Sequence, residues 1–307
     1  MNPIIETDSL HRHFGRTEAV RELTFAVPEG SIYAFLGPNG AGKTTTIKML
    51  LNILQPTSGT ARILGVDSTE LGPRELAQIG YVSENQELPE WMTVRQLIDY
   101  CKPMYPTWDD VFCEKLLKNF NLPPHRKLKN LSRGMKVKAA LVTSLAYRPK
   151  LLVLDEPFSG LDPLVRDEFI RGMLELSGES AWTIFISSHD IDEVERLADW
   201  VGVINDGRLH LSEPTESLQT RFRQIEFTAS HETTRLPATL PTSWLVPDMA
   251  GQNVRLVESQ FREGETLNDL RRIFPGASEP VISPLSLRDI FLALARTFRF
   301  KTESSKA

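Results

Sequence analysis

The run Gly37-Pro38-Asn39-Gly40-Ala41-Gly42-Lys43-Thr44 carries the plainest chemistry in the chain. Glycines at this spacing let the backbone curl so that successive N–H groups converge on phosphate oxygens. A helix that starts at the end of such a loop turns its positive end toward the same anion. This is the pattern of a P-loop, in which the lysine reaches the β- and γ-phosphates and the next hydroxyl ligates magnesium. Lys43 is thereby the phosphate-binding cation and Thr44 a metal ligand. Gly37, Pro38, Asn39, Gly40, Ala41, Gly42 and Thr45 complete the cradle. The flanks separate this from a chance Gly-rich turn: an apolar run of strand length at 31–36 precedes it, and Ile47, Leu50, Leu51 and Leu54 follow at helical spacing, up to a stop at Pro56.

Asp155-Glu156 closes the uninterrupted apolar run Leu151-Leu152-Val153-Leu154. Runs of this kind are strands buried on both faces of a parallel sheet. Carboxylates at the C-terminal tip of such a strand sit where ligands bind in these sheets. Asp155 suits the magnesium shell, and Glu156 is placed to polarise an attacking water. Read alone, the pair is two solvated acids at a strand end; beside a phosphate cradle it is catalytic.

The elements that must hold these residues read as a mainly parallel α/β sheet. Thr183-Ile184-Phe185-Ile186 is a second buried strand, and Ile191, Val194 and Leu197 mark an amphipathic helix after it. Runs at 201–204 and 208–211 flank Asn205-Asp206-Gly207, a hairpin turn. Leu23-Thr24-Phe25-Ala26-Val27 alternates before a turn at Pro28-Glu29-Gly30, and the early hairpins predict antiparallel β-structure at the edge of the fold. The stretch from about 87 to 149 is helix-rich and broken by Pro103, Pro106, Pro123 and Pro124, an insert in the larger domain. A final helix or linker at 214–218 closes that domain at 1–218. The remainder, 219–307, has the alternation of Ile225 and Phe227, then Val254 and Leu256, with helical spacing at Leu267, Leu270 and Phe274 and a Ser286–Asp289 cap before Ile290, Phe291 and Leu294. It reads as a small α+β domain ending in a frayed tail at 301–307.

The order of the motifs resembles the ABC-type ATPases, over about residues 4–218. Leu131-Ser132-Arg133-Gly134-Met135 is similar to that family's signature loop and lies between the two Walker motifs. Ser159-Gly160-Leu161-Asp162 is similar to its D-loop, His189 to its switch histidine, and Phe14 stands where an aromatic stacks on adenine. The resemblance implies ATP and Mg2+ as cofactors. Thr44, Asp155 and Glu84 would hold the metal, Glu156, His189 and Lys43 would act in hydrolysis, and Phe14, Ser132, Gly134 and Asp162 would contact nucleotide. It implies further that two copies meet head to tail, each lending Ser132 and Gly134 to the nucleotide of the other, most simply as a homodimer. Two departures stand out. Arg133 replaces the family's usual glycine, with Met135 where glutamine is frequent, and Glu84 replaces the Q-loop glutamine, with Gln86 as a nearby substitute.

The fold class implied is a P-loop NTPase with a mainly parallel sheet, an antiparallel β subdomain, a helical insert and a small α+β C-terminal domain. Length agrees, since 307 residues exceed one comfortable core. Hydrophobic residues at 41% and charged residues at 24% are those of a globular protein, and a net charge of -5 weighs against a nucleic-acid coat. Cys101 and Cys113, without a CxxC pair, give no disulfide framework or zinc site. The first ten residues hold no signal-peptide pattern, and no stretch approaches the roughly 18 apolar residues of a span.

The function expected is hydrolysis of ATP to power transport, with export as the expected direction, through a separate membrane permease at the cytoplasmic face of the membrane. Trp91, Met92, Tyr100, Met104, Tyr105 and Trp108 either fill the insert or line a groove for that permease. The rival is an ABC ATPase acting on ribosomes or DNA, which the single ATPase unit and the acidic charge disfavour.

Overall fold

A computed structural model describes residues 3–177, 182–231 and 235–304, with the side chains of 175–177 and 298–304 excepted. The chain divides into two compact units, Met1–Ser212 and Glu213–Ala307.

The first unit opens with β1 (Pro3–Phe14), β2 (Thr17–Pro28) and β3 (Ile32–Leu36), followed by helix α1 (Lys43–Leu50) and strands β4 (Ser58–Ile63) and β5 (Val66–Asp67). Strands β1, β2, β4 and β5 form a separate antiparallel sheet in the order β2-β1-β4-β5, a layer of its own and not an edge of the main sheet. After the short helix α2 (Pro73–Leu76) come β6 (Ile79–Ser83), the helices α3 (Val94–Cys101), α4 (Asp110–Asn119) and α5 (Arg133–Leu145), and β7 (Leu151–Asp155). Helix α6 (Pro163–Ser177), β8 (Thr183–Ser188), β9 (Trp200–Asn205) and β10 (Arg208–Pro214) complete the series. The main sheet runs β10-β9-β3-β8-β7-β6, with every pair from β9 to β6 parallel.

Aromatic packing joins the two sheets. Phe25 of β2 lies 5.5 Å from Phe35 and 5.8 Å from Tyr33, both on β3, and 6.0 Å from Phe185 on β8. Burying such a side chain contributes roughly 1.5–3 kcal/mol, before any aromatic pairing term. This cluster fixes β3 beside β8, and register does the rest. Leu36 pairs with Ser188, Ser187 with Asp155, and Asp155 with Ser83. The tips of β3, β8, β7 and β6 therefore end level, and the residues that follow them share one edge of the sheet.

The insert helices have the caps their sequences encode. Thr93 and Gln96 form a capping box on α3, Asp109 caps α4 through the Phe112 N–H, and Ser132 caps α5 through the Met135 N–H. The apolar positions Val94, Leu97, Ile98, Phe112, Leu116 and Leu117 are all buried.

Three local expectations are corrected. Helix α1 stops at Leu50, well short of Pro56, because Asn52 adopts φ 57° and the Ile53 and Leu54 N–H groups both turn back to the Lys48 carbonyl. The predicted helix at 191–197 is only the 3-10 turn Ile191–Glu193. Its apolar residues are buried as expected, Glu193 is buried with them against Ser188 and Arg166, and the rest of the stretch is turn, with the Glu195 N–H on the Ile191 carbonyl and the Ala198 N–H on the Val194 carbonyl. The third correction concerns the domain boundary and is taken up with the second unit. The hairpin at Asp206 and Gly207 forms as expected, with both residues at positive φ as its turn requires.

The second unit starts with α7 (Thr215–Arg221), which therefore belongs here and does not close the first unit. It continues through β11 (Arg223–Thr228), β12 (Trp244–Ala250), β13 (Asn253–Glu258), α8 (Glu263–Ile273), β14 (Val281–Pro284) and α9 (Leu287–Ser304). Its antiparallel sheet is ordered β12-β13-β11-β14. Ile225, Phe227, Val254 and Leu256 form its buried face, packed with Trp244, Leu270 and Phe274. Glu226 and Arg255 pair on the other face, 3.3 Å apart. The tail expected to fray from 301 is helical to Ser304, and 305–307 lie outside the described residues. Among the described residues no helix is long and apolar enough to cross a membrane.

Candidate active site

Each tip of the level sheet edge delivers one group. The loop after β3 needs its glycines: a Cβ on Gly37 would stand 2.2 Å from the Ile204 carbonyl oxygen, and Gly42 sits at φ 106° with a Cβ position 2.4 Å from the Ala19 oxygen. Gly42 is the N-cap of α1, so no side chain satisfies the first N–H groups of that helix. They stay open to an anion, with the helix dipole behind them.

Lys43 is buried. Its Nζ donates to the Gly37 carbonyl at 2.6 Å and the Pro38 carbonyl at 3.1 Å, and it lies 2.9 Å from Glu156 Oε1. The ammonium is thus folded back onto its own loop. The Glu156 oxygen it faces has no aligned hydrogen-bond donor, so the contact is an ion pair without good hydrogen-bond geometry. A phosphate oxygen brought to the loop would offer the ammonium a better partner.

Thr44 Oγ1 donates to Asp155 Oδ1 at 3.1 Å, and Ser187 Oγ donates to the same oxygen at 2.7 Å. Burial pushes the Asp155 carboxyl above its ordinary range, against the pull of those two hydroxyls. A hydroxyl and a carboxylate converging in this way are hard oxygen ligands. Among the described residues no group of three or more His, Cys, Asp or Glu could hold a metal by itself. The pair suits a magnesium ion that takes the rest of its shell from phosphate and water.

Glu156 follows β7 with φ 50°, a left-handed conformation costly for a residue with a Cβ and held here by the Ser187 carbonyl and hydroxyl on its N–H. The turn aims its carboxylate at Lys43 on one side and His189 on the other, with His189 Nδ1 2.7 Å from Glu156 Oε2. Glu84, after β6, accepts from Ser159 Oγ at 2.8 Å and lies 3.8 Å from Arg133 Nη2.

The other residues singled out in the sequence lie apart from this cluster in contact terms. Ser132 is exposed and caps α5; Gly134 is buried against Val165 of α6. Asp162 is exposed and accepts from the Leu164 N–H. Phe14 is 46% exposed at the end of β1, with the Arg12 guanidinium 4.6 Å over its ring. Pro38, Asn39 and Gly40 are exposed along the loop, while Ala41 is buried and Thr45 half-buried. Ser187 and Ser159 were not singled out as ligands of the two carboxylates they hold. The signal for Ser187 was a polar pair, Ser187-Ser188, ending an otherwise apolar strand directly before His189.

Comparison with known proteins gives the same reading. The model of the ABC transporter family matches residues 20–159. A second model, described as an AAA domain, putative AbiEii toxin, Type IV TA system, matches residues 125–195. The bacitracin transport ATP-binding protein BcrA of Bacillus licheniformis is 36% identical over 235 residues, covering 76% of this chain and 77% of that protein. This chain belongs to the ABC transporter ATP-binding proteins. The lantibiotic transport ATP-binding protein SrtF of Streptococcus pyogenes is 33% identical over 229 residues, which are 73% of this ABC ATPase and 98% of the relative. A solved structure described as the ATP binding subunit of an ABC transporter superposes with a TM-score of 0.63 at 27% identity, covering 71% of this chain and 92% of that one. The chain is an ATP-hydrolysing transport subunit with the fold of the ABC ATPase domain. These relatives lend no support to a role on ribosomes or DNA.

Proposed function

We propose that this ABC ATPase works as a magnesium-dependent homodimer that drives export of a peptide antibiotic or similar drug through a separate permease, from the cytoplasmic face of the membrane. The observation that carries the reading is the convergence of Lys43, Thr44, Asp155, Glu156 and His189 on one sheet edge, through contacts of 2.7–3.1 Å among them. BcrA serves bacitracin transport and SrtF lantibiotic transport, which supports the substrate class.

In this mechanism the open N–H groups of the loop from Gly37 to Gly42 and of α1 hold the nucleotide phosphates. Lys43 exchanges its carbonyl and carboxylate partners for phosphate oxygens. Thr44, Asp155 and Glu84 would hold magnesium, which neutralises charge on the phosphates when bound. Glu156, released from Lys43, accepts the proton of the attacking water. His189, tethered to Glu156, orients it and donates toward the γ-phosphate. Phe14 offers its exposed ring to the base.

Ser132 and Asp162 are exposed, with their side chains on helix-end N–H groups, which supports their use by a second copy. For the permease, the aromatic stretch after β6 sorts into two sets. Met92 is buried and Tyr105 stacks on Tyr147 at 3.8 Å, while Trp91 is 68%, Tyr100 57% and Met104 55% exposed. The second set is the docking surface.

The test is capture of tagged Glu156→Gln protein from detergent-solubilised membranes of its host in ATP, with mass spectrometry of what accompanies it. A multi-span membrane protein at stoichiometric yield is expected. Ribosomal or DNA-repair proteins with no membrane partner would overturn the reading.

A further inference from the structure

The two residues that depart most from the family pattern face each other. Arg133 Nη2 lies 3.8 Å from Glu84 Oε1, and the same oxygen accepts from Ser159 Oγ at 2.8 Å. The guanidinium lies over Gly160, where a Cβ would stand 2.8 Å from Nη1 and 3.2 Å from Cζ. Gly160 is at φ 67°, so both its backbone conformation and the space above it depend on the missing side chain. Three segments distant in sequence thus meet on one ion pair: the loop after β6, the first residue of α5, and the turn between β7 and α6.

The loop after β6 needs that cation. Ser83 pairs with Asp155 across β6 and β7, which puts Glu84 at the same sheet edge as Asp155 and Glu156. Lys43 already faces Glu156. A third carboxylate there, left alone, would repel a polyphosphate and would be free to leave the position in which Ser159 holds it.

We propose that Arg133 is a positioning residue for the nucleotide reaction, acting through Glu84: it balances the extra charge and pins the carboxylate against Ser159, so that Glu84 and Arg133 form one functional unit. This rests on the reading of the sheet edge as the nucleotide site. At 50% and 37% exposure the pair is screened, so its coupling is modest, about fivefold in affinity, which converts to about 1 kcal/mol.

The test is a double-mutant cycle on the full chain: wild type, Glu84→Gln, Arg133→Gly and the double variant, with Arg133→Lys as the conservative control and thermal melts to verify folding. The readouts are the Kd of a fluorescent ATP analogue with magnesium, and KM and kcat of ATP hydrolysis. With Glu84 in place, Arg133→Gly is expected to weaken analogue binding about fivefold and to raise KM. With Glu84→Gln already present, it should change either by less than twofold. Arg133→Lys should recover most of the binding. Equal effects of Arg133→Gly in both backgrounds, or none in either, overturn the proposal. Lys43→Ala separates this from the site reading. If it binds the analogue as wild type does, the site reading fails and the proposal falls with it. If it loses binding while the cycle is additive, only the proposal fails.

Discussion

His189 Nδ1 stands 2.7 Å from Glu156 Oε2, while the other oxygen of the same carboxylate faces Lys43 Nζ at 2.9 Å. One buried acid therefore joins the loop after β3 to the tip of β8. Its left-handed backbone, φ 50°, makes the double contact possible, since an extended residue after Asp155 would continue along the strand. In the proposed mechanism this is the contact that Lys43 gives up for a phosphate oxygen and Glu156 for the attacking water.

Glu156→Gln keeps the shape of the side chain and removes its basicity. ATP hydrolysis should fall by roughly 10²–10⁴, the span of a general base, while a fluorescent ATP analogue still binds. Adding His189→Ala to that variant should lower the rate little further, because the two act as a unit. A phosphate-release assay on the single and double variants decides it, and multiplicative losses would count against the shared role.

Lys43→Met leaves Glu156 buried without its cation. Breaking a buried pair from one side costs about 3–5 kcal/mol of stability. Urea unfolding of the nucleotide-free protein should show a loss toward the lower end of that span, since His189 remains beside the carboxylate. The variant with Glu156→Gln added should recover much of it, and neither should bind the analogue tightly. A single variant as stable as wild type would show that the pair contributes nothing to the stability of the nucleotide-free protein.

Much of this was legible before the fold. The glycine spacing ahead of Lys43 and the apolar strand ending in Asp155-Glu156 are local patterns, with chemistry written in residue types. The strands at 31–36, 151–154 and 183–186 are short and almost wholly apolar, as strands covered on both faces of a parallel sheet are. What escaped the sequence was set by contacts between distant segments. Helical spacing at 191, 194 and 197 was real and those residues are buried, yet the segment is a 3-10 turn at 191–193 followed by turn, with Glu193 buried against Ser188 and Arg166, contacts that no spacing along the segment reports. The meeting of Glu84 with Arg133, and the two hydroxyls on Asp155, depend on strand register that no spacing along one segment reports. Even the separation of the antiparallel sheet from the main one follows from how Phe25 packs across the layers and not from the hairpins themselves.

Gly202 of β9 gives a prediction about the sheet that carries the site. A Cβ there would stand 2.3 Å from the Tyr33 hydroxyl oxygen, and Tyr33 is fully buried with its hydroxyl 2.7 Å from Ser212 Oγ. Gly202→Ala should destabilise by about 1–3 kcal/mol through overpacking. Tyr33→Phe should cost about 1 kcal/mol for the lost hydrogen bond. Together they should cost somewhat less than the sum, because the phenylalanine removes the hydroxyl, the nearest of the clashing atoms, although the ring carbons Cε1 and Cζ stay 2.9 Å from the added methyl. Denaturant unfolding of the three variants reads the coupling directly; strict additivity would place the clash elsewhere.

Glu193 is the acid whose titration should show in stability. It is buried beside Ser188 and Arg166, and burial holds its carboxyl above its ordinary value of 4.5, outweighing the hydroxyl and the guanidinium. The sign follows from proton counting. With the folded pKa raised, the folded chain binds more protons than the unfolded one in the window above 4.5, so this group's contribution is full at low pH and is lost as pH rises through the folded pKa. Glu193→Gln removes that titration and leaves a side chain that can still accept from Ser188. Melting temperatures of the variant minus those of wild type should therefore rise as the pH is taken upward from 4.5, whatever their offset. A difference that falls over that range would mean that the pairing with Arg166 outweighs burial, and that Glu193 is stabilised as the anion.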